Sequence, residues 1–170
     1  MRRARWRPAA ASLRDAFIAA TIAWAALLVA VPFLASRGHA STLASALILG
    51  VYAIGSAICH QLPERSYQLW SVQMPVCARC AGIYFGAVLG GLGARRLGVR
   101  PPSRPRVWLE AAPDHARVLL ALAILPTAVT LGYEWVTGVM PSHAIRAAAG
   151  LAIGLAVAWL VVAVADNQVN

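Results

Sequence analysis

Long charge-free apolar runs are the feature that most constrains how this chain can fold. A helix needs about 20 apolar residues to cross the hydrocarbon core of a bilayer. Five such runs cover residues 16–36, 40–59, 81–94, 118–133 (extendable to 138) and 147–165. The third run is short, so Arg95 and Arg96 would have to extend their side chains to the headgroups. We predict an all-α polytopic transmembrane helix bundle with five spans, or four if one early segment does not cross.

The composition favours lipid as the surroundings of this chain. Hydrophobic residues make up 60% of its 170 residues and charged residues 12%, whereas soluble domains carry about 25% charged residues. All fifteen basic residues are arginine, and most flank the apolar runs, at 2–14 and 95–117. This placement predicts the bilayer and its anionic headgroups as partners. It argues against nucleic acid, because no binding fold can be built from the remaining residues.

The domain organisation is predicted to be simple. We expect an Arg-rich cytoplasmic N-terminal segment at residues 1–15 and a single transmembrane domain at 16–170. The first apolar run is long for a cleaved signal peptide, whose apolar region spans about 7–15 residues, so an uncleaved anchor is expected. Abundant Ala and Arg without Lys are typical of a GC-rich bacterial gene, and we expect the bacterial cytoplasmic (inner) membrane.

The arginine distribution does not decide the orientation. With five spans, the two Arg-rich segments lie on opposite sides of the membrane. If one early segment did not cross, both could face the cytoplasm, as arginine-rich loops usually do.

Glycines recur every four residues in two of the apolar runs. Gly82, Gly86 and Gly90 share one helix face, and Gly150 and Gly154 share another. Small residues let membrane helices approach closely, so we predict tight packing on these faces. The same Gly-rich faces could instead join copies of the chain into a homo-oligomer.

Residues 59–80, here called the Cys-His loop, hold all three cysteines. Cys59 precedes His60, and Cys77 and Cys80 form a Cys-x-x-Cys motif. Ligand pairs at this separation complete many tetrahedral zinc sites. We predict that Cys59, His60, Cys77 and Cys80 hold zinc or another thiolate-binding metal. Because adjacent helical residues point about 100° apart, Cys59 and His60 can both ligate only where the helix has ended.

Other roles for the same loop remain open at this point. Cys77 and Cys80 could cycle as a redox dithiol, with Cys59 as a third partner. A metal-dependent membrane enzyme would keep an open metal position and use Glu64 as its base, with Arg65 a weaker catalytic candidate. The sequence does not decide whether the protein is an enzyme.

Two stretches of the chain resemble a known family. They are SAICHQLPERS at residues 56–66 and MPVCARCAGIYFG at residues 74–86. Together they resemble the signature of a family of small prokaryotic predicted membrane proteins, filed as a domain of unknown function, over roughly residues 50–160. The resemblance implies a membrane location and a shared Cys-His loop. It supplies no reaction.

Two further expectations concern the second half of the chain. Glu134 ends the fourth run and Arg146 begins the fifth, so we predict a salt bridge that fixes this hairpin, since an unpaired intramembrane carboxylate is costly. Counting five spans, we expect the hairpin on the face opposite the Cys-His loop. The proline- and arginine-rich segment 98–116 is expected to be an extended polar loop.

Overall fold

The computed structural model describes residues 7–38, 41–97 and 105–169, with side chains over 13–38, 41–97 and 116–165. Within these ranges the chain is almost entirely helical. The five α-helices are α1 (Arg7–Ser36), α2 (Thr42–Ile58), α3 (Ala78–Leu97), α4 (Pro105–Thr137) and α5 (His143–Val169). The Cys-His loop adds a short 3₁₀ helix (Pro63–Arg65) and an antiparallel hairpin of β1 (Gln68–Leu69) and β2 (Val72–Gln73). The predicted all-α fold is confirmed, while residues 1–6 of the predicted N-terminal segment lie outside the described residues.

Three helices in the described part of the chain are long and apolar enough to cross a membrane. They are Leu13–Ser36, Ala116–Thr137 and His143–Ala165. The 17 residues of α2 fall short of the usual crossing length of about 20 residues. The 20 residues of α3 include three arginines. The predicted membrane bundle is therefore confirmed in kind, and its five crossings stay a prediction.

Parallel packing of α3 against α5 forms the centre of the bundle. A methyl group added at any of five glycines would overlap the backbone of the opposite helix. The contacts pair Gly82 with Ala147, Gly86 with Leu151, Gly90 with Leu155, Gly150 with Arg79 and Gly154 with Ile83. Numbering rises in the same direction along both helices, so they run parallel. The predicted tight packing is confirmed. Because both glycine faces are buried within one chain, they are not free to bind a second copy, and oligomerisation stays a prediction.

The helix α1 runs antiparallel to α3. At one end, Asp15 Oδ1 lies 3.7 Å from Arg95 Nη1. Further along, the rings of Trp24 and Tyr84 meet edge to face with centroids 5.9 Å apart. The end of α1 therefore lies beside the start of α3 and the Cys-His loop.

The helix α4 runs antiparallel to α5. The Thr127 hydroxyl donates a hydrogen bond to the Ala149 carbonyl (3.1 Å), and Thr130, one turn later on α4, accepts one from Arg79 at the start of α3 (3.3 Å). The end of α4 thus reaches the same end of the bundle as the Cys-His loop.

Two expectations about the second half of the chain are wrong. The α4–α5 hairpin lies at the same end as the Cys-His loop, because two helices separate these connections and each reverses the direction of the chain. The segment 98–116 is helical from Pro105 onward. Proline suits a first helical position, where the missing N–H would have no helical partner. Residues 98–104 lie outside the described residues.

The substitution Gly86→Ala tests the α3–α5 contact. The added methyl would overlap the Leu151 carbonyl, so the helices must separate, and we expect a loss of about 1–3 kcal/mol in stability. Thermal unfolding of the purified protein in detergent measures it. The matched control is Gly132→Ala on α4, where nothing lies within 4 Å of the added carbon. An equal effect of both substitutions would contradict the parallel contact.

Candidate functional site

The chain leaves the helical conformation immediately before the Cys-His pair. Cys59 caps α2 in an extended conformation (φ −148°, ψ 140°), while its N–H still donates to the Gly55 carbonyl. Gln61 then adopts a left-handed conformation (φ 46°), which turns the backbone sharply. The geometric condition for joint ligation is therefore met, since neither Cys59 nor His60 is held in the helix.

The Gln61 side chain joins the end of α2 to the segment that precedes Cys77. Its amide donates to the carbonyls of Tyr52 (3.0 Å) and Pro75 (2.5 Å). The Gln73 amide in turn donates to the Gln61 carbonyl (2.5 Å), and the Tyr52 hydroxyl donates to the Gln73 carbonyl. Sequence analysis gave these glutamines no role. The only sequence feature that pointed to a role for Gln61 was its position next to the Cys-His pair.

This scaffold brings the three cysteines together. The sulfurs of Cys59, Cys77 and Cys80 all lie within 4.8 Å of one another. The Cys77 backbone N–H donates to the Cys59 sulfur (3.2 Å), and all three thiols are free. Metal–thiolate bonds of about 2.3 Å place sulfurs about 3.8 Å apart in a tetrahedral site. Small side-chain movements would therefore let the three sulfurs share one ion.

The surroundings of the three sulfurs are mostly apolar. Cys59 is buried, and Cys77 and Cys80 are half-buried. The buried neighbours are Leu28, Met74, Val76 and Ala81. Hydrogen bonding from the Cys80 thiol outweighs burial and lowers the pKa of Cys77 to about 5. A thiolate at neutral pH is both a metal ligand and a nucleophile.

Two predicted site residues stand apart from the sulfurs. His60 is exposed and does not belong to the cysteine group. Glu64 is exposed on the 3₁₀ helix. Both roles, ligand for His60 and base for Glu64, stay predictions.

Arg65 connects the Cys-His loop to the end of α4. Its Nη2 lies 2.6 Å from Glu134 Oε1, and the Glu134 side chain is 8% exposed. The predicted Glu134–Arg146 salt bridge does not form among the described side chains, because the loop lies at this end and supplies the nearer cation. Arg146 is itself buried, at 2% exposure. A polar cluster therefore lies beside the cysteines. Sequence analysis had placed the Glu134–Arg146 hairpin and the Cys-His loop on opposite faces.

Comparisons with known proteins agree with this architecture. Residues 59–160, which hold the whole Cys-His loop and helices α3 and α4, match the family described as "Predicted membrane protein (DUF2085)". The chain belongs to this family. The matched region starts at Cys59, so α1 and α2 precede it.

Two archaeal proteins are also similar to this chain. An uncharacterized protein of Methanocaldococcus jannaschii is 42% identical over 59 residues, which cover 35% of this chain and 38% of that protein. An uncharacterized protein of Methanothermobacter thermautotrophicus is 34% identical over 105 residues, 61% of this chain and 83% of that protein. No solved structure matches the chain.

A double-mutant cycle tests the contact between loop and helix. Arg65→Gln and Glu134→Gln each leave a charge without its partner, and we expect a coupling energy of about 1–3 kcal/mol in thermal or denaturant unfolding. The control cycle combines Glu134→Gln with Arg96→Gln at the opposite end of α3. Those two effects should add to within about 0.5 kcal/mol. Additivity of the first pair would refute the contact.

Proposed function

We propose that this membrane protein holds a zinc-like metal ion through Cys59, Cys77 and Cys80, with His60 as the fourth ligand. The convergence of three sulfurs from two separate parts of the chain carries the proposal. Three soft thiolates favour zinc or another thiophilic metal over magnesium or calcium. His60 follows Cys59 at the exposed edge of the group, and its side chain would turn inward to complete the site.

The ion would act as a clamp between α2 and α3. Cys59 ends α2, while Cys77 and Cys80 flank the start of α3. The seventeen residues between the first two cysteines form only short elements held by polar contacts. A bound structural metal contributes its binding free energy to folding, which would fix this loop in one conformation.

We also propose that four helices cross the membrane, namely α1, α3, α4 and α5. Phe33 near the end of α1 meets Trp70 of the Cys-His loop edge to face (centroids 5.2 Å apart). Cys59 at the end of α2 packs with Leu28, only a few turns back along α1. A crossing α2 would instead bring Cys59 towards Asp15. Both ends of α2 are thus at the Cys-His loop end of the bundle.

Four crossings would put both arginine-rich segments on one side of the membrane, which favours a single orientation. The Asp15–Arg95 contact supports one shared side for the N-terminal and central arginines. Arginine-rich segments remain in the cytoplasm, so the Cys-His loop would face outward from the cytoplasmic membrane. The lysine-free composition favours a bacterial source, while both relatives described above are archaeal.

Metal analysis tests the clamp. Protein purified without added metal should contain about one zinc-like ion per chain. Cys59→Ser, Cys77→Ser and Cys80→Ser should each lose the ion and unfold at lower temperature. His60→Ala removes a ligand, so it should weaken retention against a chelator by more than the roughly 10–100-fold that loss of a ligand's hydrogen-bond partner costs. The control is Ser56→Ala, on the exposed face of α2. Metal-free protein with unchanged stability in Cys77→Ser would overturn the proposal.

A thiol-redox role is the second candidate, favoured by the lowered pKa of Cys77 and the outward placement of the loop. In this role a Cys77–Cys80 disulfide would form by exchange with a disulfide-bearing partner, whose own disulfide is reduced to two thiols. Thiol trapping in cells distinguishes the candidates. If Cys77 and Cys80 switch between thiol and disulfide when the cells are oxidised or reduced, the result favours exchange. If the thiols react with the trapping reagent only after metal is removed, the result favours the clamp.

Single introduced cysteines test the orientation. In a background with all three native cysteines replaced by serine, Arg37→Cys should react with an impermeant maleimide in intact cells, because Arg37 follows α1 at the Cys-His loop end. Arg96→Cys should react only after permeabilisation. The reverse pattern would place the loop in the cytoplasm.

A further inference from the structure

Three arginines lie near one carboxylate beside the Cys-His loop, and one of them, Arg65, contacts it. Arg65 leaves the loop, Arg79 lies in the first turn of α3, and Arg146 lies in the first turn of α5. Arg79 lies within electrostatic reach of Arg65, Arg146, Glu134 and the thiol of Cys77. The Gly150 contact holds the Arg79 backbone against α5, one turn from Arg146. The three arginines and Glu134, here called the arginine cluster, carry two positive charges in excess.

The arginine cluster contains polar atoms that the described residues leave without hydrogen bonds. The Nε atoms of Arg65, Arg79 and Arg146 are buried and have no hydrogen-bond partner. Glu134 Oε1 is paired with Arg65, while the buried Glu134 Oε2 has no partner. Arg146 is almost fully buried, and among the described side chains it makes no ion pair. Buried charges are costly unless they are paired. If these positions served only packing, apolar residues would give a more stable protein. The buried arginines therefore indicate that the cluster binds a group of opposite charge.

We propose that the arginine cluster binds a phosphate group that enters from the Cys-His loop face. Guanidinium groups offer paired N–H donors whose planar geometry matches phosphate oxygens. A phosphate monoester carries about −1.5 to −2 charges at pH 7, which covers the excess positive charge whether or not the neighbouring Cys77 is ionised. This site does not depend on the metal proposal.

The position of the arginine cluster fits a phosphate at headgroup depth. Its helical members lie in the terminal turns of α3, α4 and α5, where spanning helices meet the interface. An open, mostly apolar groove that includes Thr130, the hydrogen-bond partner of Arg79, continues along α4 and α5 past Val129, Tyr133 and Ile145. The phosphate could belong to a lipid monoester or to a soluble ion, and the two sources share the same recognition chemistry.

The test uses the full chain in phosphate-free buffer. Thermal unfolding and titration calorimetry are followed with inorganic phosphate for protein in detergent. In a second arm, unfolding is compared in nanodiscs of phosphatidylcholine with and without phosphatidic acid. Stabilisation by inorganic phosphate identifies a soluble source, and stabilisation by phosphatidic acid alone identifies a lipid source. Either result supports the site. Stabilisation by neither, or by acetate as strongly as by phosphate, overturns it.

Variants locate the effect. Arg146→Gln and Arg79→Gln should each weaken phosphate binding about tenfold or more, because each removes a charge-assisted hydrogen bond. Arg96→Gln, an exposed arginine at the other end of α3, should leave binding within about twofold. If Arg146→Gln does not fold, the half-buried Arg79 carries the test. Equal weakening by Arg96→Gln would reduce the effect to general attraction by net charge and overturn the site.

Discussion

Backbone contact between α3 and α5 is the constraint on which the rest of the structure depends. In lipid, apolar side chains gain little by meeting one another, so helices associate where small residues permit close van der Waals contact. Five glycines supply that contact over the length of α3. The parallel alignment also determines chemistry, since it sets the start of α3, with Cys80 and Arg79, beside the start of α5, with Arg146. A shift of one helical turn would separate these groups.

The Cys-His loop is held in place mainly by hydrogen bonds from glutamine side chains to backbone carbonyls. The left-handed Gln61 reverses the chain, and its side-chain amide joins the Tyr52 carbonyl in α2 to the Pro75 carbonyl near the end of the loop. These bonds position Cys59 opposite Cys77, whose backbone N–H donates to the Cys59 sulfur. A metal or a disulfide would therefore act on a geometry that the polypeptide already favours, with little cost in ordering the chain.

The sequence predicted those features whose cause is local. Charge-free runs predicted the helices, and four-residue spacing predicted the glycine face. The cysteine motif predicted a grouping that the structure reproduces for its three sulfurs. The contact of Arg65 with Glu134 was missed, since the two residues are far apart in the chain and the hairpin was placed at the wrong end, although the two predicted helices between the connections put both at the same end. Proline content also misled, because at Pro105 it marks the start of a helix and not a loop.

The weak apolarity of α3 has a consequence for how the chain enters the membrane. Its 20 residues include three arginines and five glycines, and the translocon admits a helix on its own largely according to apolar side chains. In the proposed four-span arrangement, the glycine contact with α5, which is synthesised later, would be the main interaction that retains α3 in the bilayer. In that arrangement α3 would stay near the translocon until α5 emerges. The two helices would then enter lipid as a pair, and the site at their shared end would assemble in the last step of insertion.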